Sequence, residues 1–274
     1  MKREFGLPLV LPPFKGRVHP KYNCPEFLKA ISDCQALFNE PSCRILLAGR
    51  NRVASVQIPV GGSKSEEIVI KEFRTQGINV LKSLFLPSKA EKAWRGSMEL
   101  IRRELATPHP AAYLEKRKGR MLDQSFFLCE WVEDVKEIRL LFRQLPNEEL
   151  KKLLVALAAH LFISHQKGIL HRDLSDGNIL VKKNQEGEYV FYLVDTNRIK
   201  IKQKISPLSR MKNLIRFGVP PSYQRFFLEQ YWGVQPVPKF LWLWYKINKN
   251  TYTMYIKTKK MLRLKQIARK LKIQ

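Results

Sequence analysis

Residues 171–178 read His-Arg-Asp-Leu-Ser-Asp-Gly-Asn, and this stretch restricts the fold more than any other. It fits an H-R-D-L-x-x-x-N loop at every fixed position, including the five-residue step from Asp173 to Asn178. Such a loop serves phosphoryl transfer. A carboxylate orients or accepts the proton of an attacking hydroxyl, while a neutral amide oxygen ligates a divalent cation. Its flanks suit that chemistry. Pro146 to Gln166 is apolar at helical spacing and stops before Gly168, and Ile179-Leu180-Val181 is strand-like. A polar turn that merely joins helix to strand would not need all five fixed residues.

Two partners are required of such a loop, and both occur in the expected order. Ile68-Val69-Ile70-Lys71 resembles a strand whose lysine holds the α- and β-phosphates of ATP. Tyr192-Leu193-Val194-Asp195 ends an apolar strand in a carboxylate, where a metal-binding Asp belongs. Each is ordinary alone. Together Lys71, Asp173, Asn178 and Asp195 predict a Mg-ATP site.

Six segments add a narrower resemblance: Ala48 to Val53, Val69 to Lys71, Ala93-Trp94-Arg95, Thr107-Pro108-His109-Pro110, His171 to Asn178 and Asp195-Thr196-Asn197-Arg198. They span about residues 44–200, with a fainter echo in Met211-Lys212-Asn213-Leu214. In these the chain resembles the Kdo/WaaP lipopolysaccharide kinases, which phosphorylate sugars of the lipopolysaccharide inner core. The resemblance implies an α+β, two-lobed protein-kinase-like fold. A small antiparallel β-sheet lobe with one main helix would be followed by a larger, mostly helical lobe. It assigns Lys71 to the ATP phosphates, Asp173 as catalytic base, and Asn178 and Asp195 to Mg²⁺. Gly49 falls in the ATP-covering loop. Phe126 to Val132 reads as a buried strand entering a hinge, where adenine would bond the backbone at Glu130 and Val132.

The chain departs from the pattern in three places. The helix that should supply a glutamate to the strand lysine has Arg95 beside Trp94, leaving Glu91 or Glu99, one turn to either side, as candidates. The covering loop has Gly49 as its only glycine, followed by Arg50-Asn51-Arg52. Nothing after Asp195 resembles the A-P-E-terminated segment with which a protein kinase docks a peptide, which favours a small or lipid-borne acceptor.

Composition sets the outer limits. The 274 residues are 45% hydrophobic and 11% aromatic, as in a globular chain able to bury a sizeable core. No apolar run reaches membrane-spanning length. The N-terminus lacks a signal peptide's unbroken apolar region, so a cytoplasmic protein is expected. Cys24, Cys34, Cys43 and Cys129 lack paired metal-ligand spacing and read as reduced thiols.

The net charge is +26, of which +18 lies in residues 198–274, where nineteen Lys and Arg face one acid, Glu229. Aromatic residues, Trp242 and Trp244 among them, interleave with these cations. That pattern suits an anionic membrane surface and a peripheral place on the inner membrane. Nucleic-acid binding is the rival reading of the charge, ranked second because the kinase residues are present.

The organisation predicted is an N-terminal extension over 1–43 with one helix, an ATP-binding lobe over 44–130 with a helix near Ser88 to Glu104, and a helical catalytic lobe over 131–274. The lobe's basic, aromatic tail should contain a helix from Tyr255 to Ile273. The expected function is ATP-dependent phosphorylation of a Kdo or heptose hydroxyl on a lipid-anchored core sugar. A protein or small-molecule kinase, or a catalytically weak kinase-fold scaffold that binds membrane or RNA, is the alternative. No protein partner is inferred.

Overall fold

The computed structural model describes residues 6–261, apart from 75–76, 78–79 and 82. The chain forms two compact units, one of residues 1–136 with 180–200 and one of residues 137–179 with 201–274.

The first unit is built on a seven-stranded sheet. Its strands are β1 (Leu7–Leu11), β2 (Phe14–Val18), β3 (Arg44–Ala48), β4 (Arg52–Pro59), β5 (Ser65–Glu72), β6 (Pro110–Lys118) and β7 (Met121–Glu130). The spatial order is β1-β2-β6-β7-β5-β4-β3, and every neighbouring pair is antiparallel. Period-two alternation splits the core between the two faces. Ile68 and Ile70 of β5 join one cluster with Phe27, Ile31, Phe126 and Leu128. Val69, one step along the same strand, packs on the other face against Phe73, Trp94, Phe127 and Cys129. Burying each large apolar side chain of this kind stabilises the unit by roughly 1.5–3 kcal/mol.

Two helices cover the sheet, α1 (Pro25–Ile31) and α2 (Lys89–Arg102). Ser88 caps α2, its hydroxyl accepting from Glu91 N at 3.0 Å, and Ala90, Ala93, Trp94, Ser97 and Leu100 form its buried stripe. Two features of the N-terminal segment differ from expectation. The one helix expected in this extension is short: apolar residues recur at helical spacing from Phe27 to Phe38, but α1 stops at Ile31 and a 3₁₀ turn follows at Ala36–Asn39. Asp33 explains the break, since its Oδ1 accepts from the amides of Gln35 and Ala36 at 3.0 and 3.1 Å and offers the backbone an alternative to the helix. Before it, β1 and β2 form a hairpin on the outside of the sheet. Pro8 lies within β1, where an edge strand tolerates a missing N–H, and Pro12 and Pro13 make the turn. Strands Ile179–Lys183 and Tyr189–Leu193 pair with each other.

The second unit is mostly helical: α3 (Ile138–Gln144), α4 (Asn147–Gln166), α5 (Pro207–Leu214), α6 (Gln224–Trp232) and α7 (Lys239–Met261). Leu150, Leu153, Leu154, Leu157 and Leu161 bury one face of α4, and Gly168, at φ 75°, turns the chain out of it. Among the described residues no helix is long and apolar enough to cross a membrane. The predicted tail helix falls within α7 as far as Met261; residues 262–273 of that expectation lie outside the described residues.

Candidate active site

Lys71 and Asp195, separated by 124 positions, meet in the first unit, Nζ to Oδ1 at 2.6 Å. The period of β5 aims Lys71 to the α2 face, where it also sits 5.0 Å from the Phe73 ring centroid. Asp195 has a left-handed backbone, φ 57° and ψ 45°, a conformation Asp tolerates better than most side chains. Its neighbours hold it there. Leu193 N donates to Ala106 O at 3.0 Å, and Thr107 Oγ1 donates to Leu193 O at 2.8 Å. On the other side Thr196 Oγ1 donates to Ala93 O at 2.9 Å and shares a 3.0 Å hydrogen bond with Ser97. Gly96 lets α2 approach, since a Cβ there would lie 2.3 Å from Thr196 O. The Thr-Pro-His-Pro and Asp-Thr-Asn-Arg segments therefore have a physical role, which is to position Asp195.

Neither candidate glutamate is paired with Lys71. Glu91 pairs with Arg95 of its own helix, and Glu99 pairs with Arg102 at 2.7 Å and Arg103 at 3.3 Å. Lys89 is a residue that the sequence reading missed. Burial pushes its pKa below the usual lysine value, and the nearby charges of Arg50, Arg198 and Lys71 act in the same direction against Asp195. Three cations and one carboxylate thus act on Lys89, a net positive field suited to a polyphosphate.

Gly49 lies in the short turn between β3 and β4, its N donating to Asn51 O at 3.1 Å. A Cβ there would meet nothing closer than 4.0 Å, so the protein itself imposes no need for glycine. Glu130 and Val132 line a different feature, a pocket of about 670 Å³ shared with Thr107, His109, Lys182 and Tyr192. The Glu130 side chain accepts from Tyr22 Oη at 2.6 Å and Lys21 Nζ at 2.8 Å. Burial pushes its carboxyl up, but these two donors outweigh it and hold the group below the usual carboxylate value. Lys71, Asp195 and Gly49 do not line that pocket.

Asp173 and Asn178 lie together in the second unit. Asn178 Nδ2 donates to Asp173 O at 2.7 Å and closes the loop, so Oδ1 is the amide atom left for a cation. A clamp from residues 213–218 holds this loop along its length. Asn213 Nδ2 donates to His171 O at 2.8 Å, and Arg216 donates to Arg172 O at 2.6 Å. The same guanidinium pairs with Asp173 Oδ1 at 3.1 Å, and Gly218 N donates to Asp176 Oδ1 at 2.6 Å. Arg216 and Gly218 escaped the sequence reading; Asn213 fell in its faintest motif. Asn178 Oδ1 and the Asp195 carboxylate are hard oxygen donors, the type Mg²⁺ takes. Among the described residues no three His, Cys, Asp or Glu gather, and a Mg²⁺ that keeps water and substrate phosphate oxygens needs no such cluster.

Comparison with known proteins adds three findings. Residues 88–220 match the lipopolysaccharide kinase (Kdo/WaaP) family. By sequence, no curated protein matches. A solved structure described as WaaP in complex with acyl carrier protein superposes with a TM-score of 0.55 at 17% identity, covering 79% of this chain and 91% of that one. At this identity the likeness speaks for the fold alone, α+β of the protein-kinase-like kind.

Proposed function

This chain belongs to the lipopolysaccharide kinase (Kdo/WaaP) family over residues 88–220 and is a kinase with an alcohol group as acceptor; from that premise we propose that it carries the γ-phosphoryl group of ATP to a Kdo or heptose hydroxyl of the lipopolysaccharide inner core, at the cytoplasmic membrane face. The observation that supports this most is the 2.6 Å pairing of Lys71 with Asp195, two residues that the sequence marks separately for phosphate and metal.

Each residue has a stated role. Lys71, with Lys89 and Arg50 nearby, would neutralise phosphate oxygens. Asp173 would take the proton of the acceptor hydroxyl as its oxygen bonds to the γ-phosphorus, while the bond to the β–γ bridging oxygen breaks and ADP leaves. Asn178 and Asp195 would hold Mg²⁺, which when bound supplies charge neutralisation on the phosphates. Backbone groups at Glu130 and Val132 would take the adenine.

The membrane reading rests on α7. Phe240, Leu243, Ile247 and Met254 recur at helical spacing and are exposed, opposite the buried Leu241, Tyr245 and Lys249. Lys239, Lys246 and Lys257 lie on the same helix. Trp242 and Trp244 are half-buried, and Trp242 stacks on Tyr245, so the aliphatic stripe is better placed than the tryptophans to enter lipid.

One experiment tests the whole reading. Labelled ATP, Mg²⁺ and lipid A–core glycolipid are presented in vesicles with and without anionic lipid. The label should reach the glycolipid, and faster on anionic vesicles. Transfer only to protein, or none, would remove the core-sugar reading, and equal rates on both vesicle types would remove the anionic membrane.

A further inference from the structure

A groove of about 630 Å³ opens in the second unit between α5 and α7, and nothing in the proposed chemistry of Asp173 yet uses it. Its walls carry Arg172, Lys212 and Arg216 as cations, Tyr252 and Tyr255 as rings, and Leu170 as an apolar side chain; among the described residues no acid lines it. The groove is held in shape from within. Lys249 of α7 is buried and donates to Ile215 O at 2.7 Å and to Phe217 O, which fixes the segment that bears Arg216. On the other wall, Asn213 is buried and anchors α5 to His171 O.

Arg216 connects this groove to the chemistry. Its guanidinium lines the groove, lies 5.9 Å from the Tyr252 ring centroid and pairs with Asp173 Oδ1 at 3.1 Å. We infer that the groove seats the acceptor, specifically a sugar that already carries a carboxylate or a phosphate. This rests on the acceptor being a core sugar. Guanidinium and ammonium groups recognise either anion, because both present oxygens at the spacing of paired N–H donors. Tyr252 and Tyr255 offer flat, amphipathic faces to the C–H side of a pyranose ring. A neutral sugar gains only the second set of contacts. Lys212 and Arg172 are specificity-determining residues in this reading, and Arg216 positions both the acceptor and Asp173.

Calorimetric titration of the full chain tests this without ATP, using three probes: the Kdo monosaccharide for the carboxylate, heptose phosphate for the phosphate, and a neutral glucan oligosaccharide. The wild type should bind at least one anionic sugar and not the glucan. Lys212→Gln and Tyr252→Ala should each weaken that binding about tenfold, and Tyr252→Phe should keep it. Which anionic sugar binds tells carboxylate from phosphate. In parallel, the KM for glycolipid should rise in Lys212→Gln and Tyr252→Ala with the KM for ATP unchanged. No binding of either anionic sugar by the wild type, equal binding of the glucan, or unaltered affinity in both variants would overturn the groove. Those results leave wild-type transfer to glycolipid as a separate readout. If anionic sugars bind through the groove and no transfer to glycolipid occurs, the core-sugar kinase reading fails instead.

Discussion

Lys71 and Asp173 are held in place by opposite means. Lys71 sits on a strand with hydrogen-bonded neighbours on both sides, across from Val53 of β4 and Phe127 of β7. Backbone register fixes where it is, and strand alternation fixes which face it uses. Asp173 lies in an irregular loop whose shape comes from bonds made by Asn213, Arg216 and Gly218, some forty residues further along the chain. A ladder residue is placed by its immediate neighbours, whereas a loop residue depends on particular distant side chains.

The sharpest way to probe this contrast is to remove the two functional groups. Asp173→Asn should cut turnover by about 10²-fold or more, because an amide cannot accept the hydroxyl proton, while nucleotide binding stays close to wild type. Lys71→Ala should instead weaken nucleotide binding together with turnover, since phosphate charge is left uncompensated and Asp195 loses its partner. Glu91→Ala and Glu99→Ala should leave nucleotide binding near wild type, because each glutamate is spent on an arginine of its own helix. Steady-state kinetics and nucleotide titration on the four variants separate these outcomes. A loss in Glu91→Ala matching that of Lys71→Ala would break the assignment of Asp195 as the partner of Lys71.

The same contrast governs what the sequence disclosed. The loop from His171 to Asn178 stands out in the sequence because the chemistry proposed for it needs fixed residues at fixed steps. Lys71 was legible because a period-two strand carries its orientation locally. The fate of Glu91 and Glu99 was also written locally, in Arg95 and Arg103 four residues on, and that spacing is the signal that could have settled it. The clamp from 213 to 218 had no such signature: nothing in the spacing of Arg216 ties it to Asp173. The hairpin of β1 and β2 had little signature, because Pro8 lies in a strand that only a sheet edge excuses. Lys89 was hidden because its importance lies in three cations brought near it by the fold.

A second pair of variants tests the supports rather than the reacting groups. Gly96→Ala places a methyl against Thr196 O, a backbone atom that must move, and should cost about 1–3 kcal/mol of stability. Asn213→Ala removes the donor to His171 O and leaves His165 without its Oδ1 partner, costing about 1–3 kcal/mol as well. Their functional signatures should differ. Gly96→Ala acts on the segment that bears Asp195 and should raise the Mg²⁺ requirement, whereas Asn213→Ala acts on the loop of Asp173 and should lower turnover at saturating Mg²⁺. Denaturant titration and Mg²⁺ dependence measured on both would show whether the two supports are separable. Identical kinetic signatures would merge them.

A pH dependence is also expected, carried by His165, which reaches the loop of Asp173 through Asn213. Asn213 Nδ2 is committed to His171 O, so its Oδ1 faces His165 Nε2 at 3.0 Å and accepts from it. Nε2 therefore bears the proton of the neutral ring, and Nδ1 accepts from Tyr231 Oη at 2.6 Å. Charging the ring would put a second proton against that hydroxyl in a buried place. Burial accordingly lowers its pKa from 6.5 to about 4, with Arg210 adding to the shift and the Asn213 bond opposing it. The folded state then holds fewer protons than the unfolded chain between those values. Stability should be full above about pH 6.5, fall as pH drops towards about 4, and change no further from this group below that. His160, likewise lowered to about 4 by burial, should contribute in the same window. Each imidazole gives a slope of about 1.4 kcal/mol per pH unit well inside it. Thermal unfolding between pH 6.5 and 5, above the range of most carboxylates, reads this directly. His165→Phe should lower stability at pH 7, by leaving Asn213 Oδ1 without its donor and taking the acceptor from the Tyr231 O–H, yet flatten part of the slope. The wild-type slope persisting in full in that variant would place the proton uptake elsewhere.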